Sequence, residues 1–583
     1  MRCAVSGRRT VQGVTGPIRA NDRSLLIGAS PQNLPATQFL DGEIAELLLY
    51  DRVLKPAEQE RTRRYLAAKY AIELMDEDAP KPRKPERKKI VQRRHMPVIV
   101  TNPITPRTST RTPQAADDVL RRDWLFQADD RPTLVRARQE IQWARQLVAR
   151  LSQGTDAPDL SAELAALDDL ETQLADAAPE DASTLYLAVR RAKRRIAMTN
   201  PAIDFSQLLL IDQPYPGGGR EWRHEAIHRL GHRAVPGGRL LVLDGLHPGG
   251  RVRQLFPPKP GSFWRPELSF DGKRVLFCFK PHNEKSFHLY EIGIDGSGLR
   301  QLTDGPYDDL DPIYLPDGHI LFTTTRGNTY VRCGPYIYSN VLARCDADGE
   351  NVYLISRNSE PDFVPALLND GRVIYSRWEY TDKPLWRAQS LWTMHPDGTQ
   401  VNTFWGNQSV WPDLLKDARS IPGSHRVMFT GSAHHNWFSG SVGIIDPTKG
   451  NNFPHGLTKV TADVAYPESG NCPVDPIESP RYHASGSYGA YYSPYPLSEN
   501  DFIVSANRGG KFVLYLMDVE GNRELIYEGH HHILHALPVK PIDRWLRDWE
   551  ALQARVLNSQ GDFRLLVVGG GAGGVELALS TQH

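Results

Sequence analysis

The feature that most constrains the fold is a repeat of turn motifs between about residues 205 and 535. One set of turns precedes apolar strands, and its six copies are Gly237-Gly238, Asp271-Gly272, Asp317-Gly318, Asp370-Gly371, Gly423-Ser424 and Glu499-Asn500. A second set of six turns, the first in VLDGLHPGG and the last in LMDVEGN, joins the outer strands of the repeat units. Asp-Gly pairs readily adopt the positive φ angles of type I′ turns, so the motifs predict tight antiparallel hairpins.

The spacing of these motifs predicts a six-bladed β-propeller. Four short strands in each unit of roughly 40–50 residues are typical of propeller blades. The strand at 205–212 (FSQLLLID) precedes the first copy and is predicted to complete the sheet of the last blade. That closure would remove the open edge that a linear array of sheets leaves. The predicted fold class is therefore mainly β, with a six-bladed propeller over residues 201–535.

The motif text resembles two known groups of propellers. The string GSGLRQLTDGPYDDLDPIYLPDGHILFTTTRG is similar to blades of TolB-like propellers. Longer strings resemble the middle domain of the hydrazine synthase alpha subunit, and they include DGRVIYSRWEYTDKPLWRAQSLWTMHPDGT and MFTGSAHHNWFSGSVGIIDP. This resemblance spans roughly residues 185–530 and implies a propeller fold. Hydrazine synthase works through c-type haems, but this sequence has no CxxCH motif, so c-type haem is not supported.

The sequence before the propeller divides into three predicted segments. Residues 1–75, with the string DGEIAELLLYDRVLKPAEQERTRRYLAAKYAI, resemble the end of a concanavalin-like, laminin-G-type jelly roll. They are fewer than the ~100 residues of such a sandwich, so we expect a partial domain. Residues 76–112 are rich in proline and in Lys and Arg, which favours an extended linker over a nucleic-acid contact. Residues 113–200 carry apolar stripes at helical spacing and predict a helical segment without chemistry.

The last residues, 536–583, resemble the start of FAD- or NAD(P)-dependent oxidoreductases. The strand FRLLVV runs directly into GGGAGGVE, a G-x-G-x-x-G turn at the start of a helix. The resemblance implies cofactor-binding roles for Gly569, Gly571, Gly574 and Glu576. Because the sequence stops at His583, before the second strand of the βαβ unit, we expect a truncated domain that does not bind the dinucleotide.

Four residues are candidates for a metal site. They are His434, His435, Cys472 and His483, and imidazole with thiolate ligands would suit zinc or copper. The alternative, which we favour, is that they are hydrogen-bonded histidines and a buried thiol. The run His530-His531-His532 with His535 is a second possible metal tract, but is more typical of an irregular junction.

Two further features have alternative interpretations. Cys333 and Cys345 are predicted to form a disulfide in an oxidising compartment and to be thiols in the cytoplasm. The segment 377–383 (RWEYTDK) would line the channel mouth or, as we favour, form a charge network within its blade.

Composition and missing motifs limit the function classes. Apolar residues make up 40% of the 583-residue sequence and charged residues 24%, which excludes wholesale disorder. No apolar run reaches the ~20 residues that span a bilayer, and there is no G-x-S-x-G or HExxH motif. The propeller and jelly roll suggest export, whereas the lack of a visible signal peptide suggests the cytoplasm, so localisation stays open.

We therefore predict a binding or scaffold protein with a protein, glycan or small-molecule ligand on a propeller face, and no nucleic acid or membrane span. One alternative is an FAD/NAD(P)-dependent oxidoreductase that is incomplete in this chain. Another is a propeller metalloenzyme that uses the four candidate ligands.

Overall fold

A computed structural model describes residues 107–542, with gaps at 154–155, 219–226, 229–231, 257–259, 283, 333, 381–387, 410, 435–437, 468–476 and 479–480. It also describes 2–5, 9–12 and positions 55, 57, 61, 64 and 65. The chain divides into two compact units, Met1–Arg94 with Phe563–His583, and His95–Asp562. In the first unit, β1 (Arg2–Val5) and β2 (Arg9–Gln12) form an antiparallel hairpin. The predicted jelly-roll strands and the predicted C-terminal strand and helix lie outside the described residues.

Four α-helices lie within the described residues 107–200. They are α1 (Pro113–Phe126), α2 (Leu134–Leu151), α3 (Ser161–Ala175) and α4 (Ala182–Met198). The hydroxyl of Thr112 accepts a hydrogen bond from the Ala115 N–H, and that of Thr133 accepts one from the Arg136 N–H. These N-caps fix where α1 and α2 begin. The apolar stripes of α2 and α4 pack against each other, with Ile141 and Tyr186 almost completely buried.

Six mainly antiparallel blades follow, numbered 1 to 6, each with its strands given from the inner to the outer edge. Blades 4 and 5 are joined into one nine-stranded sheet by a parallel bridge between Gln389 and Leu414. Blade 1 contains β31 (His532–Pro538), β4 (Gln207–Gln213), β8 (Arg239–Asp244), β9 (Arg251–Gln254) and, beyond these, β3 (Arg107–Ser109). Blade 2 contains β10 (Gly261–Leu268), β11 (Arg274–Pro281), β12 (His288–Gly293) and β13 (Arg300–Gln301). Blade 3 contains β14 (Asp309–Tyr314), β15 (Ile320–Val331), β16 (Gly334–Cys345) and β17 (Tyr353–Leu354).

The remaining strands complete the ring. Blade 4 contains β18 (Asp362–Leu367), β19 (Val373–Trp378), β20 (Gln389–Met394) and β21 (Asn402–Trp405). Blade 5 contains β22 (Leu414–Ser420), β23 (Val427–Ser432), β24 (Ser441–Ile445), β25 (Leu457–Lys459) and the parallel strand β26 (Ile477–Glu478). Blade 6 contains β27 (Tyr488–Pro496), β28 (Asp501–Arg508), β29 (Lys511–Asp518) and β30 (Arg523–Tyr527). A small sheet between β4 and β8 contains β5 (Gly217–Gly218), β6 (Ile227–His228) and β7 (His232–Arg233).

The ring closes in blade 1 rather than in the last blade. β4 pairs with β8 on one side and with the C-terminal strand β31 on the other, so the two ends of the propeller share one sheet. The prediction that 205–212 completes the last blade was therefore wrong. For the same reason Gly237-Gly238 does not join an inner hairpin, because it precedes β8, the third strand of its blade.

The turn geometry also differs from the prediction in detail. In the turn of blade 3, the Gly318 N–H donates to the Leu315 carbonyl at 3.0 Å, and Gly318 has φ +86° while Asp317 keeps a negative φ. A type I′ turn requires two positive φ angles, so this is the three-residue type I turn with a glycine bulge. The Asp317 carboxylate accepts a hydrogen bond from the His319 N–H, which explains why aspartate precedes glycine here.

The two ends of the ring carry different connections. In a four-stranded antiparallel blade, the turn from first to second strand and that from third to fourth lie on the same side. Both sets of short turns therefore form one face, which we call the turn face. The longer connections, such as 214–238, 379–388 and 460–487, lie on the opposite face, which we call the loop face.

The helices dock on the outer edge of blade 6 through buried charges. Arg150 of α2 donates to Asp501 and Asp518 at 2.9 Å, and Arg190 of α4 donates to Glu524 at 3.0 Å. The interface also contains a small, partly open pocket of about 20 Å³, room for little more than a water molecule. The helical segment and the propeller thus form one packed structure.

Candidate functional site

The inner strands of all six blades share a bulge that aims side chains at the propeller axis. At each bulge one non-glycine residue has a positive φ, and these residues are Arg265, Asp311, Val364, Asp417, Ser493 and His535. We call this set the bulge ring. Proline follows four of the six residues, at a position where a bulged strand needs no ladder N–H. The repeated backbone conformation therefore places six different side chains at one level of the axis.

Two ion pairs cross the axis between blades 2 and 5, which lie opposite each other in the ring. Nη1 of Arg265 is 2.5 Å from Oδ1 of Asp417, and both side chains are 3% exposed. Two residues further along each strand the charges are reversed, with Nη2 of Arg419 3.0 Å from Oε2 of Glu267. These contacts join opposite walls of the channel and fill its centre with paired charges.

His535 completes the axial cluster next to these pairs. Its Nε2 is 2.8 Å from the Tyr492 hydroxyl, its Nδ1 is 3.2 Å from the Ser493 hydroxyl, and its ring contacts the edge of Trp264. Burial, together with the charge of Arg265, holds the pKa of His535 well below its usual range. The imidazole is therefore neutral at physiological pH and a weak base, although a serine lies within hydrogen-bond distance.

The sequence carries a signal for this cluster that motif searching missed. The segments Arg265-Pro266-Glu267 and Asp417-Ala418-Arg419 occupy equivalent positions in two blades and have opposite charge order. An alignment of the inner strands on the residue that precedes proline or alanine would have shown that these two segments carry complementary charges. Their contact depends on the ring geometry, which neither segment contains.

The predicted metal ligands that the structure describes lie in different surroundings. His434 is buried in blade 5, where its Nδ1 is 3.2 Å from Nε2 of Gln389 and its ring contacts Trp378. His483 stacks on Trp143 of α2 with ring centroids 3.8 Å apart, beside blade 6. His435 and Cys472 lie outside the described residues, so the four-residue metal site stays a prediction.

The second histidine tract is held by backbone contacts. The N–H groups of His530 and His531 donate to the carboxylate of Asp212 at 2.9 and 2.7 Å. Nδ1 of His532 accepts a hydrogen bond from the Phe512 N–H. Within the described part of the chain, no cluster of three or more His, Cys, Asp or Glu side chains is placed to hold a metal ion.

Cys345 is a free, buried thiol rather than half of a disulfide. It pairs with Ile320 at one end of the β15–β16 hairpin, whereas Gly334, the residue after Cys333, pairs with Val331 at the other. The free thiol at Cys345 agrees with the thiol alternative, and Cys333 itself lies outside the described residues.

The charged segment at the end of β19 forms a pair within its blade. Nε and Nη2 of Arg377 donate to the two carboxylate oxygens of Asp362 at 2.8 and 3.0 Å. We expected a network of this kind, but with Glu379 as the partner of the arginine. Asp382 and Lys383 lie outside the described residues, as do Gly569, Gly571, Gly574 and Glu576, so the dinucleotide turn stays a prediction.

No family model matches the chain, and no curated protein matches it in sequence. Solved structures with similar folds include hydrazine synthase from Kuenenia stuttgartiensis, with 19% identity and a TM-score of 0.48. The match covers 58% of this chain and 47% of that one, so this chain spans about half the length of that neighbour. TolB from Acinetobacter baumannii has 13% identity and a TM-score of 0.37, with 60% of this chain and 72% of that chain covered.

Another neighbour is the propeller domain of the Trilobed protease from Pyrococcus furiosus, with 12% identity and a TM-score of 0.31 over 56% of this chain and 86% of that one. These likenesses concern the fold alone. The propeller assignment therefore rests on the six blades of this chain and the closure of the ring through β4 and β31. No helix in the described ranges has both the length and the apolarity to cross a bilayer.

Proposed function

We propose that the chain is a binding or scaffold protein whose propeller is a rigid support and whose ligand meets the loop face. The observation that carries this proposal is the pairing of the axial charges across the ring, Arg265 with Asp417 and Glu267 with Arg419. Groups held in such pairs support the fold, and both ring nitrogens of His535 beside them lie within hydrogen-bond distance of hydroxyl groups of the chain.

The loop face is the proposed binding side because it carries the long connections. Binding residues occur most often on loops that a rigid scaffold positions. The turn face offers tight hairpins whose aspartates are used in closing their own turns, as Asp317 is. The loop face instead presents aromatic and charged side chains, among them Tyr215, Tyr330 and Arg332.

An absorbance spectrum and a nicotinamide titration of the purified full chain test this proposal. We expect no flavin band near 450 nm and no saturable change in fluorescence on addition of NADH. Flavin bound in a one-to-one ratio would overturn the proposal and favour the oxidoreductase alternative, in which Gly569, Gly571, Gly574 and Glu576 hold the dinucleotide.

The metalloenzyme alternative needs a separate measurement. It predicts a bound zinc or copper ion that is lost on His435→Ala or Cys472→Ala and retained on Lys55→Ala. Elemental analysis that finds the same metal content in the wild type and both ligand variants would exclude these residues as the site.

A further inference from the structure

A hairpin that projects from the loop face of blade 3 differs from its equivalents. β15 and β16 have twelve residues each, whereas the second and third strands of the other blades have five to eight. Beyond the pair Thr324–Val341 the hairpin continues with irregular pairing to Val331 and Gly334, and its shorter side advances by about four residues or ~13 Å. This extension lies beyond the part of β15 that pairs with β14, so it is not needed to complete the sheet of blade 3.

The projecting hairpin is held rigidly against blade 4. Val331 is 1% exposed and packs on Trp378 and Tyr380. The Arg332 N–H donates to the carboxylate of Glu360, which is itself buried, and the Arg332 guanidinium donates to the Tyr380 carbonyl. Val331 and Arg332, at the end of the hairpin, are therefore held by contacts within the chain, which lowers the entropic cost of binding.

The outer surface of this hairpin combines tyrosine rings with arginine. Tyr330 is 43% exposed and stacks on its cross-strand partner Tyr338, with ring centroids 4.8 Å apart. The Arg332 side chain is 62% exposed, and its guanidinium lies over the Tyr380 ring. At the base of the hairpin, Arg326 lies over Tyr307 in the same way. We call these six residues the Tyr–Arg rim.

The hairpin itself carries only positive charge. Residues 320–345 contain three arginines and no aspartate or glutamate. Arg326 and Arg344 are largely buried in pairs with Asp309 and Asp317. Arg332 also has an acidic neighbour, with its Nε 3.6 Å from Oε1 of the buried Glu360, but its side chain stays 62% exposed and can meet a ligand. A ligand for this surface needs flat apolar faces for the rings and an anionic group for the guanidinium.

We propose, on the basis of the binding function proposed above, that the Tyr–Arg rim binds an acidic polysaccharide built from uronate residues. The apolar face of a sugar ring would stack on Tyr330, and the carboxylate would pair with Arg332, which follows two residues later in the turn of the hairpin. A polymer suits this exposed ridge because successive rings can contact successive tyrosines, whereas a small ligand requires a concave pocket.

Affinity electrophoresis and calorimetry of the full chain with polygalacturonate and alginate test the proposal, with neutral amylose as the uncharged polymer. We expect binding to at least one uronate polymer, weakened by salt, and roughly tenfold weaker or absent binding to amylose. Tyr330→Ser and Arg332→Gln are each expected to weaken uronate binding by about tenfold, the loss of one stacking contact or one charge-assisted hydrogen bond.

The chain offers matched controls for both variants. Tyr353 of β17 is 47% exposed in the same blade, and Arg481 has an 80% exposed side chain paired with a single glutamate. Tyr353→Ser and Arg481→Gln should bind as the wild type does, and all four variants should keep its melting temperature.

Absence of binding to both uronate polymers would overturn this inference, as would binding that Tyr330→Ser and Arg332→Gln leave unchanged. If the chain self-associates and Tyr330→Ser abolishes this self-association, the rim binds a second copy of the chain. That result would also overturn the inference of uronate binding. The 450 nm spectrum of the same preparation separates this failure from that of the proposed function, because a flavin band contradicts the scaffold proposal whether or not the polymers bind.

Discussion

At the residue scale, the Arg265–Asp417 pair should matter more for stability than any ion pair on the surface. Asp417→Ala leaves the buried Arg265 guanidinium without its counter-charge, and breaking a buried pair in this way costs about 3–5 kcal/mol. The Asp370–Arg372 pair is about half exposed, so Asp370→Ala should cost about 0.5 kcal/mol or less. Urea denaturation of the two variants measures the difference, and equal losses would contradict the assigned role of the axial pair.

Asp308, half-buried at the loop-face end of β14, should make stability depend on pH. Burial raises its pKa to about 7, and the neighbouring Asp309 adds to this effect while a hydrogen bond from the Phe287 N–H and the charges of His288 and Lys280 oppose it. Between the unfolded value near 3.9 and about 7 the folded state binds more protons, so stability falls as pH rises through that window. Asp308→Asn should therefore stabilise the protein at pH 8 more than at pH 5, and an equal gain at both pH values would refute the assignment.

At the scale of elements, His483 should link the docking of the helical segment to pH. Stacked on Trp143 of α2, the imidazole has its pKa lowered to about 2 by burial, with the charges of Lys193 and Arg523 adding to the effect. The unfolded chain takes up this proton near pH 6.5, so the contribution is complete above that pH and declines as pH falls below it.

His483→Phe keeps an aromatic ring but removes the titration. We expect wild-type stability to fall more steeply than that of the variant between pH 7 and pH 5, as thermal unfolding would measure. His530→Phe, at an exposed histidine, is the matched control and should keep the wild-type pH dependence. A variant curve parallel to the wild type would exclude His483 as the titrating group.

Local sequence determines some of these elements more completely than others. Glycine after Asp271, Asp317 or Asp370 identifies a hairpin, because the positive φ angle that the turn needs is adopted by a residue of the turn itself. The third-strand position of Gly237-Gly238 has no such signature, since it follows from which strands pair. The contact of Arg265 with Asp417 likewise depends on the number of blades, because only a ring of six places blade 2 opposite blade 5.

At the scale of the whole molecule, the period of the repeat was enough to predict the fold class. It was not enough to predict which strands close the ring. β31 and β4 lie more than 300 residues apart, and any apolar strand at either end of the repeat fits the open edge equally well by composition. Their pairing also explains why the polypeptide before residue 205 can add β3 to the outer edge of blade 1, next to β9.

The closure of the ring through β31 predicts that the chain tolerates truncation after β31 but not before it. A chain ending at Ile542 keeps all strands of blade 1 and should retain a cooperative unfolding transition within a few degrees of the full chain. A chain ending at His530 lacks β31, exposes the edge of β4 with Leu209 and Ile211, and should aggregate or unfold at much lower temperature. Calorimetry with light scattering distinguishes the two outcomes. A stable, monomeric chain ending at His530 would show that β31 is dispensable, because the ring would then be complete without the strand that joins its ends.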